Sequence, residues 1–600
     1  MAIDRSDILS TMAKPSLKRM PAILVLFALL FVVFSLLMIR CFDLQYRQHD
    51  RFVKQSIKAQ QKRILHVGNR GIILDGRARV LAAGKPIRTV FVEPRAIVDV
   101  KETSAAIAEI LKIGAHTVCR EILENKRRGY LEIKRDVGYE EAIAVDRIFG
   151  VGVEKQWLRT YPMGPLLSHV VGFTTVDGRG LGGIELEYDA LLRGHSDHEV
   201  LLADVSRRPI RPLLRAPVQR SGSQSGQGVI LTLDATIQSF VRECLAEQLT
   251  AFEAESGHAI VVHPKTGAIL AMVSLPDFDP THAHRQWAEN PRLFTNHALN
   301  DQYEPGSIMK PMVMAIALDA GVISREEKIF CENGLYHGKG FGSIKEYNYH
   351  TFGDLTAKEI LVKSSNIGMA KIGQRLGKKR LHDALVRLGF GHKTGIKLSG
   401  EATGLLRSAD QWTGYSVTRI PFGQEISVTA MQLIRSFCIL CNEGRVVRLH
   451  LVKAFVDSNG VPEVRDSRFE VADQVGYVID PEVANWIVDD ALTAVVNEGT
   501  GHWAQLDKWQ VFGKTGTAQI ARKSGRGYEE GAYVASFIAG APAGDPAVAV
   551  LVSIRRPNRK LGYTGGKVSG PVVAKIMDKT LTYLEARGWA LARKESPERI

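Results

Sequence analysis

Residues 304–322 read EPGSIMKPMVMAIALDAGV. From Met312 onward the stretch is apolar on nearly every face, the composition of a helix buried inside a domain. Pro311 is tolerable only in the first turn of such a helix. Positions three apart share a helical face, so Ser307 and Lys310 are expected to point the same way. Burial strips solvent from an ammonium and lowers its proton affinity. A lysine held like that can act as a base toward a neighbouring hydroxyl. The helix start adds free N–H groups for a developing oxyanion. Alone, Ser-x-x-Lys is a weak signal, because an N-cap serine followed by an exposed lysine gives the same string.

Two stretches further along the chain strengthen it. Thr356-Ala357-Lys358-Glu359 has the spacing of a capping box and predicts a helix over Thr356–Val362. Lys363-Ser364-Ser365-Asn366 follows at that helix's end. Gly513-Lys514-Thr515-Gly516-Thr517 then lies inside a strand candidate, Trp509–Ile520. Glycine weakens a strand interior unless another backbone or a ligand must come close. The ordered set Ser-x-x-Lys, Ser-x-Asn, Lys-Thr-Gly is the signature of penicillin-recognising active-site serine enzymes.

The surrounding pattern fits one sheet. His258–His263 and Ala268–Ser274 flank Pro264-Lys265-Thr266-Gly267, a hairpin signal. Ala532–Ala539 and Ala547–Arg555 are further strand candidates, and Val568–Ala586 closes with an apolar helix. Two early strands, a helical middle and three late strands predict an α/β sandwich whose mostly antiparallel sheet is completed from both ends of the segment. Upstream, from Arg70 to Val205, short strand-like runs such as Thr89–Val92 alternate with a helical stretch at Ala105–Lys112. Residues 206–228, rich in Pro, Arg, Ser and Gly, read as a linker or extended crossing segment.

Between Arg19 and Arg40 lies the uncharged run Met20–Ile39. At about 1.5 Å per residue it reaches about 30 Å, the thickness of a bilayer core. No small-residue cleavage site follows it at Arg40-Cys41-Phe42-Asp43. Arg5, Lys14, Lys18 and Arg19 precede it, which predicts a cytoplasmic N-terminus. Residues 41–63 read as a helix continuing outward. The expectation is a single-pass anchor with its catalytic body outside the cell membrane, periplasmic or extracytoplasmic. Lys plus Arg is 78 and Asp plus Glu is 64, a formal charge of +14 over 600 residues. An exported body argues against nucleic acid and points that charge toward anionic lipid and wall polymer. Six cysteines are too few for a disulfide scaffold.

With the three motifs in order, the sequence resembles the class B penicillin-binding proteins, monofunctional transpeptidases of bacterial wall synthesis. Arg70-Gly71-Ile72-Ile73-Leu74-Asp75, Arg159-Thr160-Tyr161-Pro162-Met163-Gly164 and Gly183-Ile184-Glu185 resemble motifs of that family's pedestal. They are expected to hold the pedestal together and to carry no chemistry. The chain departs from the family at Asp75-Gly76-Arg77-Ala78, where Asp-Arg-Asn-Gly is usual. Gly228-Val229-Ile230-Leu231-Thr232-Leu233-Asp234 resembles the entry to the transpeptidase domain. The resemblance implies a penicillin-binding-protein or serine β-lactamase-like domain with an antiparallel sheet flanked by helices. It implies a mixed α+β pedestal and one transmembrane helix besides. The expected division is tail 1–19, span 20–39, pedestal and linker 40–227, transpeptidase domain 228–588 and tail 589–600.

Carried onto this sequence, the resemblance implies that Ser307 attacks the penultimate D-Ala carbonyl of a stem peptide ending in D-Ala-D-Ala while Lys310 takes its proton. Ser364 and Asn366 complete the proton network and hold the substrate amide, and Lys514 adds positive charge beside Ser364. Thr515, Gly516 and Thr517 form the strand that receives the terminal carboxylate, or that of a β-lactam. The N–H groups of Ser307 and Thr517 form the oxyanion hole. No metal or organic cofactor is called for. The stretch Leu81–Val90, followed by Glu93-Pro94, looks more like division-specific members. This implies a membrane glycosyltransferase and division regulators as partners. An elongation-specific transpeptidase and a non-catalytic β-lactam-binding sensor remain the alternatives.

Three other patterns are set aside. Cys438-Ile439-Leu440-Cys441 sits in an apolar stretch and reads as buried small hydrophobes. His282 and His284 read as surface loop residues. Gly562–Gly566 lacks the Lys-Ser or Lys-Thr of a phosphate loop.

Overall fold

The computed structural model describes residues 20–66, 68–194, 197–203, 209–210, 225–457, 462–463, 476–522 and 527–594. The described residues up to His66, together with 197–203 and 209–210, form one unit, and the remainder form a second. The expected cytoplasmic tail and most of the 206–228 linker lie outside the described residues.

In the first unit the uncharged run is a helix, Met20–Phe42, whose most apolar 18 residues have a mean hydropathy of 3.2 and no burial against other parts of the unit. It is long and apolar enough to cross a bilayer. The outward continuation departs from the expectation at two places. A π-helical turn, Asp43–Arg47, precedes a break at Gln48, whose amide donates to Asp43 at 2.7 Å. A second helix, His49–Gln60, then gives way to strand at Gln61. Residues Gln61–His66 pair antiparallel with Asp197–Ala203, which in turn pairs with Pro209–Ile210. That ladder is a contact between segments far apart in sequence, and it overrides the helical preference of the polar run.

The second unit is built around five antiparallel strands: β1 (Ser256–His263), β2 (Ala268–Leu275), β3 (Phe512–Ala521), β4 (Tyr528–Ala541) and β5 (Val548–Arg555). Their order is β2-β1-β5-β4-β3, so β3 is an edge. The expected hairpin and late strands are all present. Strands covered on both faces lose the apolar–polar alternation, and here successive residues enter different cores. Ile260 and Val262 pack with Met309, Met312, Ile434 and Phe437 on one face. Ala259 and Val261 pack with Val241, Leu245, Val572 and Ile576 on the other. The second face belongs to α1 (Ala235–Ala251) and to the closing helix (Gly565–Ala586). The first belongs to the helical middle: α2 (Lys310–Asp319), α3 (Asn366–Arg387) and α4 (Ala430–Cys441). The closing helix is α5.

The pedestal portion has its own small core of Val90, Val92, Ile107, Leu111, Val118 and Ile122. Its long strand, Val80–Val92, pairs with both Leu131–Lys134 and Val151–Thr160. The helix expected at Ala105–Lys112 runs Val100–Leu111, started by Asp99, whose carboxylate accepts from the N–H groups of Lys101 and Glu102. Strand Gly228–Leu231 pairs parallel with Ile73–Leu74 and antiparallel with Val452–Val456. One sheet therefore joins strands from residues 73–160 to strands from residues 228–456.

Candidate active site

The Ser307 turn differs in detail from the helical expectation. Gly306–Met309 is a 3-10 turn, and α2 begins only at Lys310, with Pro311 in its first turn. The register survives because residues three apart eclipse one another in a 3-10 turn. Ser307 is half-buried, whereas Lys310 has no exposed surface. The Lys310 Nζ donates to the Ser364 carbonyl at 2.6 Å, to Asn366 Oδ1 at 2.8 Å and to Ser364 Oγ at 3.2 Å. The Ser307 hydroxyl is not among its partners. Hydrogen bonds used in catalysis commonly tighten only when substrate arrives.

Helix Ala357–Val362 starts with the predicted capping box: Thr356 N–H donates to Glu359 at 2.8 Å, and Glu359 N–H donates back to Thr356 Oγ1. The chain then turns through Ser364 at φ +56°, a left-handed conformation that serine adopts only when its surroundings impose it. The turn presents both the hydroxyl and the carbonyl of Ser364 to Lys310. Asn366 opens α3, and its side-chain amide donates to the Lys345 carbonyl at 3.1 Å.

Strand β3 forms the opposite wall. The Lys514 side chain is fully buried and donates to Ser364 Oγ at 2.9 Å. Thr515 Oγ1 lies 2.9 Å from Thr500 Oγ1, and Thr517 Oγ1 accepts from the Gly565 N–H at 3.0 Å. Gly516 explains itself by close approach: a Cβ there would stand 2.8 Å from the Ile308 side chain and 3.1 Å from the Pro305 carbonyl. The Ser307 turn packs against the strand where the glycine removes the side chain.

Two buried lysines thus converge on one serine hydroxyl. Desolvation lowers Lys310 to about 7, while the Glu346 charge pulls the other way. Lys514 is pushed well below its ordinary range by the same burial and then by Lys310. At neutral pH a substantial part of Lys310 is uncharged and can accept a proton, which ordinary lysines cannot do.

Glu346 was not anticipated. It is buried, and its carboxylate accepts from Ser365 Oγ at 2.5 Å, Asn366 N–H at 2.7 Å and Ile367 N–H at 3.2 Å. It therefore satisfies the open N–H groups at the start of α3 and fixes the turn that carries Ser364 and Asn366. No local pattern marks it, since its partners lie some twenty residues away. Gly562–Gly566 also gains a place: it leads into α5, and the Gly565 N–H at the start of that helix reaches Thr517.

Of the remaining candidates, His282 and His284 are exposed as expected, but His282 ends a 3-10 turn and His284 sits in the helix Ala283–Glu289, not in a loop. Cys438 and Cys441 are free thiols buried in α4, and burial pushes both far up. His284 Nε2 sits 3.2 Å from the Thr174 carbonyl, against the pedestal. Arg70 and Arg159 both bond Glu185, at 2.5 and 2.7 Å, and Arg70 also reaches Asp189 at 2.7 Å. These are the pedestal motif residues, gathered into one buried ionic network.

Residues 257–578 match the sequence family described as the penicillin binding protein transpeptidase domain, and residues 66–227 match the penicillin-binding protein dimerisation domain. The chain belongs to the class B penicillin-binding proteins. The probable peptidoglycan D,D-transpeptidase PenA of Neisseria gonorrhoeae is 33% identical over 523 residues, covering 86% of this chain and 84% of that one. The peptidoglycan D,D-transpeptidase FtsI of Escherichia coli K12 is 28% identical over 566 residues, covering 92% and 90%. Among solved structures, penicillin-binding protein 3 of Mycobacterium tuberculosis, complexed with aztreonam, superposes with a TM-score of 0.67. It is 25% identical, over 88% of this chain and 98% of that chain. This class B penicillin-binding protein is a serine-type peptidoglycan D,D-transpeptidase. Binding of β-lactams and of stem peptides goes with that fold.

Proposed function

We propose that this protein cross-links stem peptides through a serine acyl-enzyme. Ser307 Oγ attacks the carbonyl of the penultimate D-Ala, and its proton passes to neutral Lys310. The C–N bond to the terminal D-Ala breaks, and that amine leaves carrying a proton relayed through Ser364, between the two lysines. An amine from a neighbouring stem then attacks the ester, giving the cross-link and restoring Ser307. Asn366 holds the substrate amide, Thr515 and Thr517 take the terminal carboxylate, and Gly516 lets the strand approach. The N–H groups of Ser307 and Thr517 receive the developing oxyanion. The observation that carries this reading is the buried, proton-poor Lys310 within 3.2 Å of both the hydroxyl and the carbonyl of Ser364.

The apolar helix supports a single-pass anchor with the tail inside, the pedestal over 40–227 and the catalytic domain over 228–588 outside. Similarity to FtsI over 92% of the chain and the Leu81–Val90 stretch support a role at division. A membrane glycosyltransferase and division regulators are the partners that role implies. Labelling of membranes with a fluorescent penicillin tests the nucleophile: Ser307→Ala should abolish the labelled band, and a band that survives sinks the assignment. Depletion tests the role, with filaments expected and rounded cells favouring elongation.

A further inference from the structure

The two walls of the cleft are tied together a second time, at its rim. Tyr347 follows directly on Glu346, on the side that carries Ser364 and Asn366. Tyr563 lies two residues before Gly565, on the side that carries Thr517, and its ring centre lies 4.5 Å from that of Tyr533 on β4, tilted by 32°. The Tyr347 hydroxyl donates to the Tyr563 hydroxyl at 2.9 Å. The contacts close a circuit. From Lys514 on β3 it crosses to Ser364 at 2.9 Å, passes along the turn to Asn366 and on to Lys345 at 3.1 Å, and reaches Tyr347. It then crosses to Tyr563 and returns through Gly565 to Thr517 at 3.0 Å. The groove between β3 and the Ser364–Asn366 turn is what this circuit encloses.

We propose that the Tyr347–Tyr563 pair is a strap across the donor cleft, and that it sets the size of donor or β-lactam that reaches Ser307. This rests on the reading above, in which a donor lies along β3 with its carboxylate at Thr515 and Thr517 and its amide at Asn366. Such a ligand threads the circuit, so any substituent wider than the gap has to part the two hydroxyls. Both tyrosines stand on surface loops, and Tyr347 is 49% exposed, so parting them disturbs no core. A neutral hydroxyl pair at the surface is a weak latch, and its removal shifts an opening equilibrium by about two- to tenfold. Tyr347 and Tyr563 act on access and touch no reacting atom, which makes them specificity-determining residues.

The test is the second-order rate constant for acylation of the detergent-solubilised full-length protein by two probes: a penicillin bearing a bulky fluorescent side chain, and 6-aminopenicillanic acid, which has none. Tyr347→Phe and Tyr563→Phe should each raise the rate for the bulky probe by about two- to tenfold relative to the small one. The double variant should gain no more than either single, since both remove the same bond. An unchanged ratio of the two rates overturns the strap, as do gains that multiply in the double variant or a loss specific to the bulky probe. Ser307→Ala measured alongside keeps the two claims apart. If it still acylates, the active-site reading has failed; if it is silent while the tyrosine ratio stays flat, only the strap has.

Discussion

Replacing Glu346 with glutamine separates the two things that carboxylate does. Its Oε1 accepts from Ser365 Oγ and Ile367 N–H, and its Oε2 accepts from Asn366 N–H at 2.7 Å. Glutamine keeps one acceptor oxygen and puts an NH2 where the other was, so one backbone N–H at the start of α3 faces a donor. Losing a charge-assisted bond and leaving a buried donor unmet costs about 1–3 kcal/mol. For a unit of this size, about 1 °C per kcal/mol converts that into a Tm fall of about 1–3 °C. The second effect is on protonation. Lys310 works as a base only when neutral; burial holds it down to about 7, and Glu346 is the charge that holds it up. Removing that charge lowers Lys310 further, so the neutral form persists to lower pH. The acid limb of the acylation rate should therefore move down by a few tenths to about one pH unit. The assay is stopped-flow acylation by a chromogenic β-lactam from pH 5 to 9, alongside a thermal melt. An acid limb that moves upward would rule out the charge effect on Lys310, and an unchanged melt would rule out the role at the start of α3.

Other perturbations follow from the same geometry. Lys310→Arg keeps a cation but cannot surrender its proton; acylation should fall by about 10²–10⁴-fold at every pH tested, read with the same β-lactam. Gly516→Ala puts a Cβ 2.8 Å from Ile308 and 3.1 Å from the Pro305 carbonyl. It should push the Ser307 turn off the strand and slow acylation about 10²-fold, with circular dichroism still showing a folded protein. Glu185→Ala leaves Arg70 and Arg159 buried without their shared carboxylate and should cost about 3–5 kcal/mol in denaturant unfolding. Glu185→Gln should cost less.

What could be read in the sequence was whatever is local. Ser307 and Lys310 sit three apart because one turn carries both, Thr356 and Glu359 announce their helix, and apolar runs such as Ala547–Arg555 mark buried strands. The three motifs converge as expected, with Ser364 between Lys310 and Lys514 at 3.2 and 2.9 Å. The unread features depend on distant partners. Gln61–Arg63 reads as the end of the 41–63 helix until Asp197–Ala203 offers it a ladder. Gly228 closes a stretch that reads as linker, yet it starts a strand paired with Ile73–Leu74 and Val452–Val456. Glu346, Tyr347 and Tyr563 sit in loops without periodicity, and only the packing of one wall against the other gives them meaning.

The proposed mechanism requires Ser307 to carry the acyl group. Its most direct test is mass spectrometry of the full-length protein after reaction with benzylpenicillin, first intact and then after proteolysis. One covalent adduct per chain is expected, located on the peptide that contains Ser307. An adduct on any other residue, or a folded protein that takes none, contradicts it.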